Sequence, residues 1–246
     1  MKYSTIKQFL LLTGVAVILS ACSDNDDNNG ANVNNDDAPT ITSDDVVMDY
    51  QYQVTVTNLT HGQPFSPPTL IVNTGAPLWE VGQPASLALE KLAESGDSSD
   101  LLSSFDQTQA TSVVSTGPLL PGNSVDLSLS ISEQHTYLHL LTMLVNTNDA
   151  FSGLTNLDIS ELALNETTIV TLGVYDAGTE ENSELAGTIP GPADSGTGFE
   201  TQRDDTDKVS VHAGVVTSDD GLLQSVLTQA DRFDNPAMKL TITRIK

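Results

Sequence analysis

The chain has a single cysteine, Cys22, in 246 residues. No disulfide can form within it, so a folded domain has to hold together by packing and hydrogen bonds alone. Basic residues are also scarce, with nine Lys and Arg against 33 Asp and Glu. Nucleic-acid binding relies on clustered Lys and Arg, so this balance argues against a nucleic-acid partner. It also sets the chain against anionic lipid and polyanionic glycan unless a bound cation intervenes. No apolar run reaches the roughly 20 residues that a membrane-crossing helix needs. The longest near the start, Phe9 to Leu19, is half that. Four histidines, His61, His135, His139 and His212, and no Gly-x-Ser-x-Gly segment leave few routes to metal or nucleophilic catalysis.

The short apolar run follows Lys2 and Lys7 and precedes small residues, the pattern of a secretory signal rather than a structural helix. Its end, Leu19-Ser20-Ala21-Cys22, resembles the lipobox of bacterial lipoproteins. The resemblance implies cleavage after residue 21 and a lipid on the Cys22 thiol, anchoring the chain to the cell envelope. Ser23, where Asp favours retention at the inner membrane, directs the expectation to the outer membrane or cell surface. Without residues 1–21, seven basic residues face 33 acidic ones, a net charge near −26. Residues 22–45 are rich in Asp and Asn with almost nothing to bury, and read as a disordered tether. They lack the ordered Gly turn and distal Glu of an EF-hand loop.

Residues 46–246 are long enough for one sizeable core, with no internal repeat and no second shift in composition. Tyr50 to Thr57 and Val125 to Ile131 alternate with period two, as half-buried strands do. Leu70-Ile71-Val72, Tyr137 to Val145, Thr168 to Tyr175, Val209 to His212 and Lys239 to Ile245 read as further strands. Pro84 opens a candidate helix running to about Ser95, with Ala85, Ala88, Leu89, Leu92 and Ala93 on one face. A second short helix is expected over Asp100 to Phe105. Strands separated by polar turns, with one or two short helices, predict an all-β antiparallel sandwich.

Two loops concentrate carboxylates just past strand ends, Val145 to Gly153 with Asp149, and Tyr175 to Asn182 with Asp176 and Glu180. If their strands are neighbours, the three carboxylates converge, with Gly178 letting the second loop turn back sharply. Such a cluster suits calcium, which takes several oxygen ligands in irregular geometry. Turn chemistry alone is the competing explanation, because Asp and Asn side chains satisfy nearby backbone donors. His135 and His139 lie four apart, but in a strand context without a third ligand, so zinc is not expected. Gly191 to Gly198 lacks the strand-to-helix setting of a phosphate loop. Trp79, the only tryptophan, has apolar neighbours Leu78 and Val81 and reads as core.

Several segments in order resemble the spondin domain of the F-spondin and mindin type. They are Tyr52 to Thr60, Gly62 to Pro68, Met143-Leu144-Val145 with Asn148-Asp149, Phe151 and Gly153, Tyr175-Asp176-Ala177-Gly178-Thr179-Glu180, Asn235-Pro236 and Lys239 to Arg244. The resemblance implies a sandwich similar to calcium-dependent lipid-binding domains, with one Ca2+ in loops at one end. Its ligands fall on Asp149, Asp176 and Glu180, with a further acidic position near Asp126 or Ser130. The function implied is a membrane-anchored adhesion or ligand-binding module with a protein or glycan partner, and not an enzyme. A hydrolase of envelope polymer, using paired carboxylates, and a purely structural envelope protein are the alternatives.

Overall fold

The computed structural model describes residues 49–106, 108 and 110–246. Cys22, the signal segment 1–21 and the tether 22–45 lie outside the described residues.

Ten strands run in chain order: β1 (Asp49–Asn58), β2 (Thr69–Asn73), β3 (Thr111–Val114), β4 (Ser124–Ser132), β5 (Tyr137–Met143), β6 (Ala150–Asp158), β7 (Thr167–Leu172), β8 (Val174–Asp176), β9 (Ser210–Val211) and β10 (Met238–Arg244). Two short helices, α1 (Leu87–Ser95) and α2 (Ser99–Ser103), stand between β2 and β3. The strands form a four-stranded sheet, β4-β1-β10-β7, and a six-stranded sheet, β3-β2-β5-β6-β8-β9. Every pairing is antiparallel. The fold is therefore the expected all-β sandwich.

Alternation sets the register of the four-stranded sheet. Tyr52, Val54 and Val56 of β1 point inward, opposite Leu129, Leu127 and Val125 of β4 and Arg244, Ile242 and Leu240 of β10. A one-residue slip would turn the apolar members of this set to solvent. The inward faces of both sheets merge into one core that includes Phe65, Leu70, Leu138, Leu140 and Ile242. Tyr52 is wholly buried there and satisfies its hydroxyl by donating to the Ile159 carbonyl (3.0 Å).

The six-stranded sheet is covered on its other face as well. Ile71, Leu141 and Phe151 pack outward against Leu89, Leu92 and Ala93 of α1 and Leu101 of α2. Burial on both faces is why β2 and β5 read as continuous apolar runs instead of alternating. The first helix starts later than Pro84 suggests. Ser86 supplies the cap, its hydroxyl accepting from the Leu89 amide (3.2 Å), and Pro84 precedes that cap.

Two expectations need correction. Thr168 to Tyr175 is not one strand but two, on different sheets. The chain leaves the four-stranded sheet at Leu172 and joins the six-stranded one at Val174. Asn235 holds this crossing, its Oδ1 accepting from the Val174 amide (2.8 Å) while its side chain lies against Gly173, where an added Cβ would come within 3.3 Å. Strands that change sheet at a bend are how sandwich corners are made. The segment Ala150 to Gly153 belongs to β6, not to a loop, so the loop after β5 is confined to residues 144–149. Among the described residues, no helix is long and apolar enough to cross a membrane.

Candidate functional site

The switch at Gly173 decides where the acidic loops meet. It places β8 directly beside β6, with Ala150 opposite Asp176. Asp149, one residue before β6, and Asp176, the last of β8, are thereby side by side at one end of the six-stranded sheet, and both are buried. Asp176 then shapes the loop that follows. Its Oδ1 accepts from the Gly178 amide (2.7 Å) and its Oδ2 from the Asn182 side-chain amide (2.6 Å). Gly178 adopts φ +72°, and a Cβ there would stand 2.3 Å from the Lys208 carbonyl oxygen, so only glycine makes the turn.

The turn delivers Thr179 and Glu180 onto Asp149. Asp149 Oδ2 accepts from the Thr179 amide (2.8 Å), the Thr179 hydroxyl (3.2 Å) and the Glu180 amide (3.1 Å). Asp149 Oδ1 is buried and has no hydrogen-bond partner. Such an oxygen is costly to leave uncompensated. None of the salt bridges among the described residues involves Asp149, Asp176 or Glu180.

Like charges and burial act together here. Burial, then the neighbouring Asp176 carboxylate, push the Asp149 pKa up to about 7, although the Thr179 and Glu180 donors oppose the shift. Burial, then the charges of Glu94 and Asp149, push Glu180 up to about 8. Beside Glu180 opens a cleft of about 240 Å3 lined by Asn148, Ser183, Thr188, Glu200 and Asp204.

The three predicted positions, Asp149, Asp176 and Glu180, thus lie on two loops locked to one another. Asp126 and Ser130 do not join them. Both project from the solvent face of β4 in the other sheet, where Asp126 accepts from the Thr55 hydroxyl (2.6 Å). Among acidic residues that the sequence does not single out, Glu94 near the end of α1 is buried with one oxygen unpartnered, as is Glu184 in the loop after β8. Glu94 lies off the apolar stripe of α1, two residues after Leu92, so no local pattern announces its burial.

The site offers hard oxygen donors, from carboxylates, amides and hydroxyls, which is the ligand chemistry of calcium. The unpartnered Asp149 oxygen fits such an ion. As the side chains stand, no group of three or more His, Cys, Asp or Glu among the described residues is drawn together closely enough to hold a metal.

Behind the loop stands His212. Its Nδ1 accepts from the Gly214 amide (2.9 Å), so the neutral ring donates from Nε2 to Asn182 Oδ1 (3.1 Å), and Asn182 in turn donates to Asp176. Burial lowers the His212 pKa. His139 is a buried residue of a central strand, not of an edge. Its Nε2 pairs with Asn73 Oδ1 (3.0 Å) and its Nδ1 accepts from the Asn156 amide (3.1 Å), so both nitrogens are committed within the protein. Trp79 packs against Phe151 and Tyr175, with ring centroids 5.2 and 4.4 Å away, under the same end of the sheet.

An antiparallel sandwich that gathers polar and acidic groups on strand-end loops has the architecture of a recognition module, with the sheets as scaffold and the loops as site. The Spondin_N family model matches residues 71–189, from β2 through the loops after β8. The coarse function that accompanies it is that of an extracellular ligand-binding or adhesion module. β1 and β10, where the resemblance also runs, lie outside the match but are paired into the same sandwich. No curated protein matches the chain.

The raised pKa values fix the sign of a pH effect on the metal-free protein. The ordinary values are 3.8 for Asp149 and 4.5 for Glu180, so the folded state holds extra protons above them. The penalty is absent at lower pH, grows as pH rises, and is complete above about pH 8. With divalent ions chelated, Asp149→Asn and Glu180→Gln should therefore show a flatter loss of denaturant stability from pH 4 to 8 than the parent. Parallel curves would contradict the assignment.

Proposed function

We propose that this chain is a lipid-anchored, calcium-binding adhesion or ligand-binding module of the bacterial cell envelope, and not an enzyme. The observation that carries the calcium reading is the buried, unpartnered Asp149 Oδ1 beside Asp176 and Glu180, with no salt bridge to any of the three among the described residues. Asp149, Asp176 and Glu180 would hold one Ca2+. Carboxylates this close repel unless a cation neutralises them or a proton is taken up, and the ion removes the need for the proton. When bound, it supplies positive charge at the apex of an acidic domain and fixes the loops that present the ligand surface. The hydrogen-bonded turn Asp176-Ala177-Gly178 supports the same role by setting the loop path before an ion arrives.

The anchor rests on Leu19-Ser20-Ala21-Cys22, with the Cys22 thiol carrying the lipid and residues 22–45 serving as a tether. The net charge near −26 after loss of residues 1–21 favours a partner recognised through the calcium apex and polar loop contacts, a protein or glycan. The outer membrane or cell surface is the proposed location.

Thermal melting of the full chain with calcium and with chelator tests the metal. A ligand at 100 times its Kd stabilises by about 2.7 kcal/mol, and each kcal/mol moves the Tm of a domain of this size by roughly 2–4 °C. A calcium-dependent rise of that order is expected for the parent and its loss in Asp176→Ala, whereas equal Tm values with and without calcium would overturn the reading. For the anchor, Cys22→Ser should leave a folded chain that partitions to the soluble fraction; continued membrane retention would contradict lipidation.

A further inference from the structure

Besides Asp149, two carboxylates among the described residues hold a buried oxygen without a partner, Glu94 and Glu184, and Glu94 lies beside Thr179 of the candidate site. Glu94 is the penultimate residue of α1, and its helix packs across the outer face of the six-stranded sheet. Its side chain is 1% exposed. Oε2 accepts from the Glu200 amide (2.9 Å), while Oε1 is buried with no partner. Glu90, one turn earlier and equally buried, is answered by Arg203, which donates from Nε (2.9 Å) and pairs through Nη2. Arg203 is further engaged by Asp207 and the Ala85 carbonyl. Among the described residues no salt bridge reaches Glu94, and the Arg203 charge is the weakest of the influences on its carboxyl.

What Glu94 faces is the loop of the candidate site. The Thr179 hydroxyl lies against its carboxyl, and the same hydroxyl donates to Asp149 Oδ2. The Glu94 charge also acts on Glu180. Glu94, Asp149 and Glu180 therefore surround Thr179 from three elements, α1, the loop before β6 and the loop after β8. Two of these carboxylates each present one buried oxygen that the protein does not satisfy. A buried carboxylate without a counter-charge is destabilising, and a cation shared by Asp149 and Glu94 would offset both.

We infer that Glu94 is a fourth acidic calcium ligand of this chain, contributing Oε1 and tying α1 to the loop apex through the ion. The inference rests on the calcium reading above and adds a residue that the loops alone do not contain. Four carboxylates around one divalent ion place the site toward the tight end of the calcium range, since affinity rises with the ligand charge count.

The test titrates the full chain with calcium by calorimetry and with Tb3+ by luminescence lifetime in H2O and D2O, which counts waters on the ion. Glu94→Gln keeps the shape and the acceptor for the Glu200 amide but removes the charge. It should bind calcium at least about tenfold more weakly and add about one inner-sphere water to bound Tb3+. In chelator its stability should equal or exceed that of the parent, because a buried charge without a cation has been removed. A merely structural glutamate would lower stability in both conditions and leave affinity and hydration unchanged, and that result would overturn the inference. Asp149→Asn separates the two readings. Calcium binding lost there but intact in Glu94→Gln removes Glu94 from the site and keeps the site. No calcium binding by the parent removes both. If Glu94→Gln does not fold, Glu94→Asp, which keeps the charge but is one methylene shorter, takes its place; unchanged affinity in that variant would overturn the inference.

Discussion

The Asp149 carboxylate is the interaction on which the acidic end of the sandwich depends. One oxygen gathers three donors from Thr179 and Glu180 and so fastens the loop after β8 to the turn before β6. The other oxygen faces no donor. The two halves of one side chain therefore do different things. Hydrogen bonds to the ionised form oppose the rise in pKa, and burial beside Asp176 promotes it. Burial prevails. The loop is held in place by a group that is itself short of compensation, which is the kind of local cost that proteins concentrate at functional sites.

Everything else at that end serves to bring the carboxylates together. The chain changes sheet at Gly173, and Asn235 from just before β10 stabilises the crossing. Without the crossing, β8 would extend the four-stranded sheet and Asp176 would end far from β6. The burial of the six-stranded sheet on both faces gives the site a stiff base. Helix α1 contributes to that base with Leu89, Leu92 and Ala93 and to the site with Glu94, so packing and chemistry meet on one helix. On the loop's outer side, the His212–Asn182–Asp176 chain fixes the orientation of the Asp176 carboxylate without adding charge.

Much of the scaffold was legible in the sequence because its strands obey a simple rule. β1 and β4 alternate, one face being in the core and the other in water, and β2 and β5 are apolar throughout, because both faces are covered. The parts that were not legible are those fixed by long-range pairing. Thr167 to Asp176 is a continuous β-rich run, and nothing local reveals that its two ends hydrogen-bond to different sheets. β3 has only four residues, too short for a period to register. At the site, Asp149, Asp176 and Glu180 were readable from the Tyr-Asp-Ala-Gly-Thr-Glu segment and its resemblance, and Gly178 from the need for a sharp return. Glu94 was not, because an acid in a helix is ordinarily solvated, and its burial arises only when residues 197–200 fold over the end of α1. Asp126 and Ser130 lie away from the site for a related reason. Sequence order placed them upstream of β5, but pairing sent β4 to the opposite sheet.

In the proposed site Asp149 Oδ1 and Glu94 Oε1, two of the buried oxygens without a protein partner, are left open for one ion. A crystal structure of the chain grown with calcium tests this most directly. The account predicts one anomalous peak at the apex with both oxygens about 2.3–2.6 Å from it. A peak elsewhere, or well-ordered loops with only water against Asp149 in saturating calcium, would contradict it.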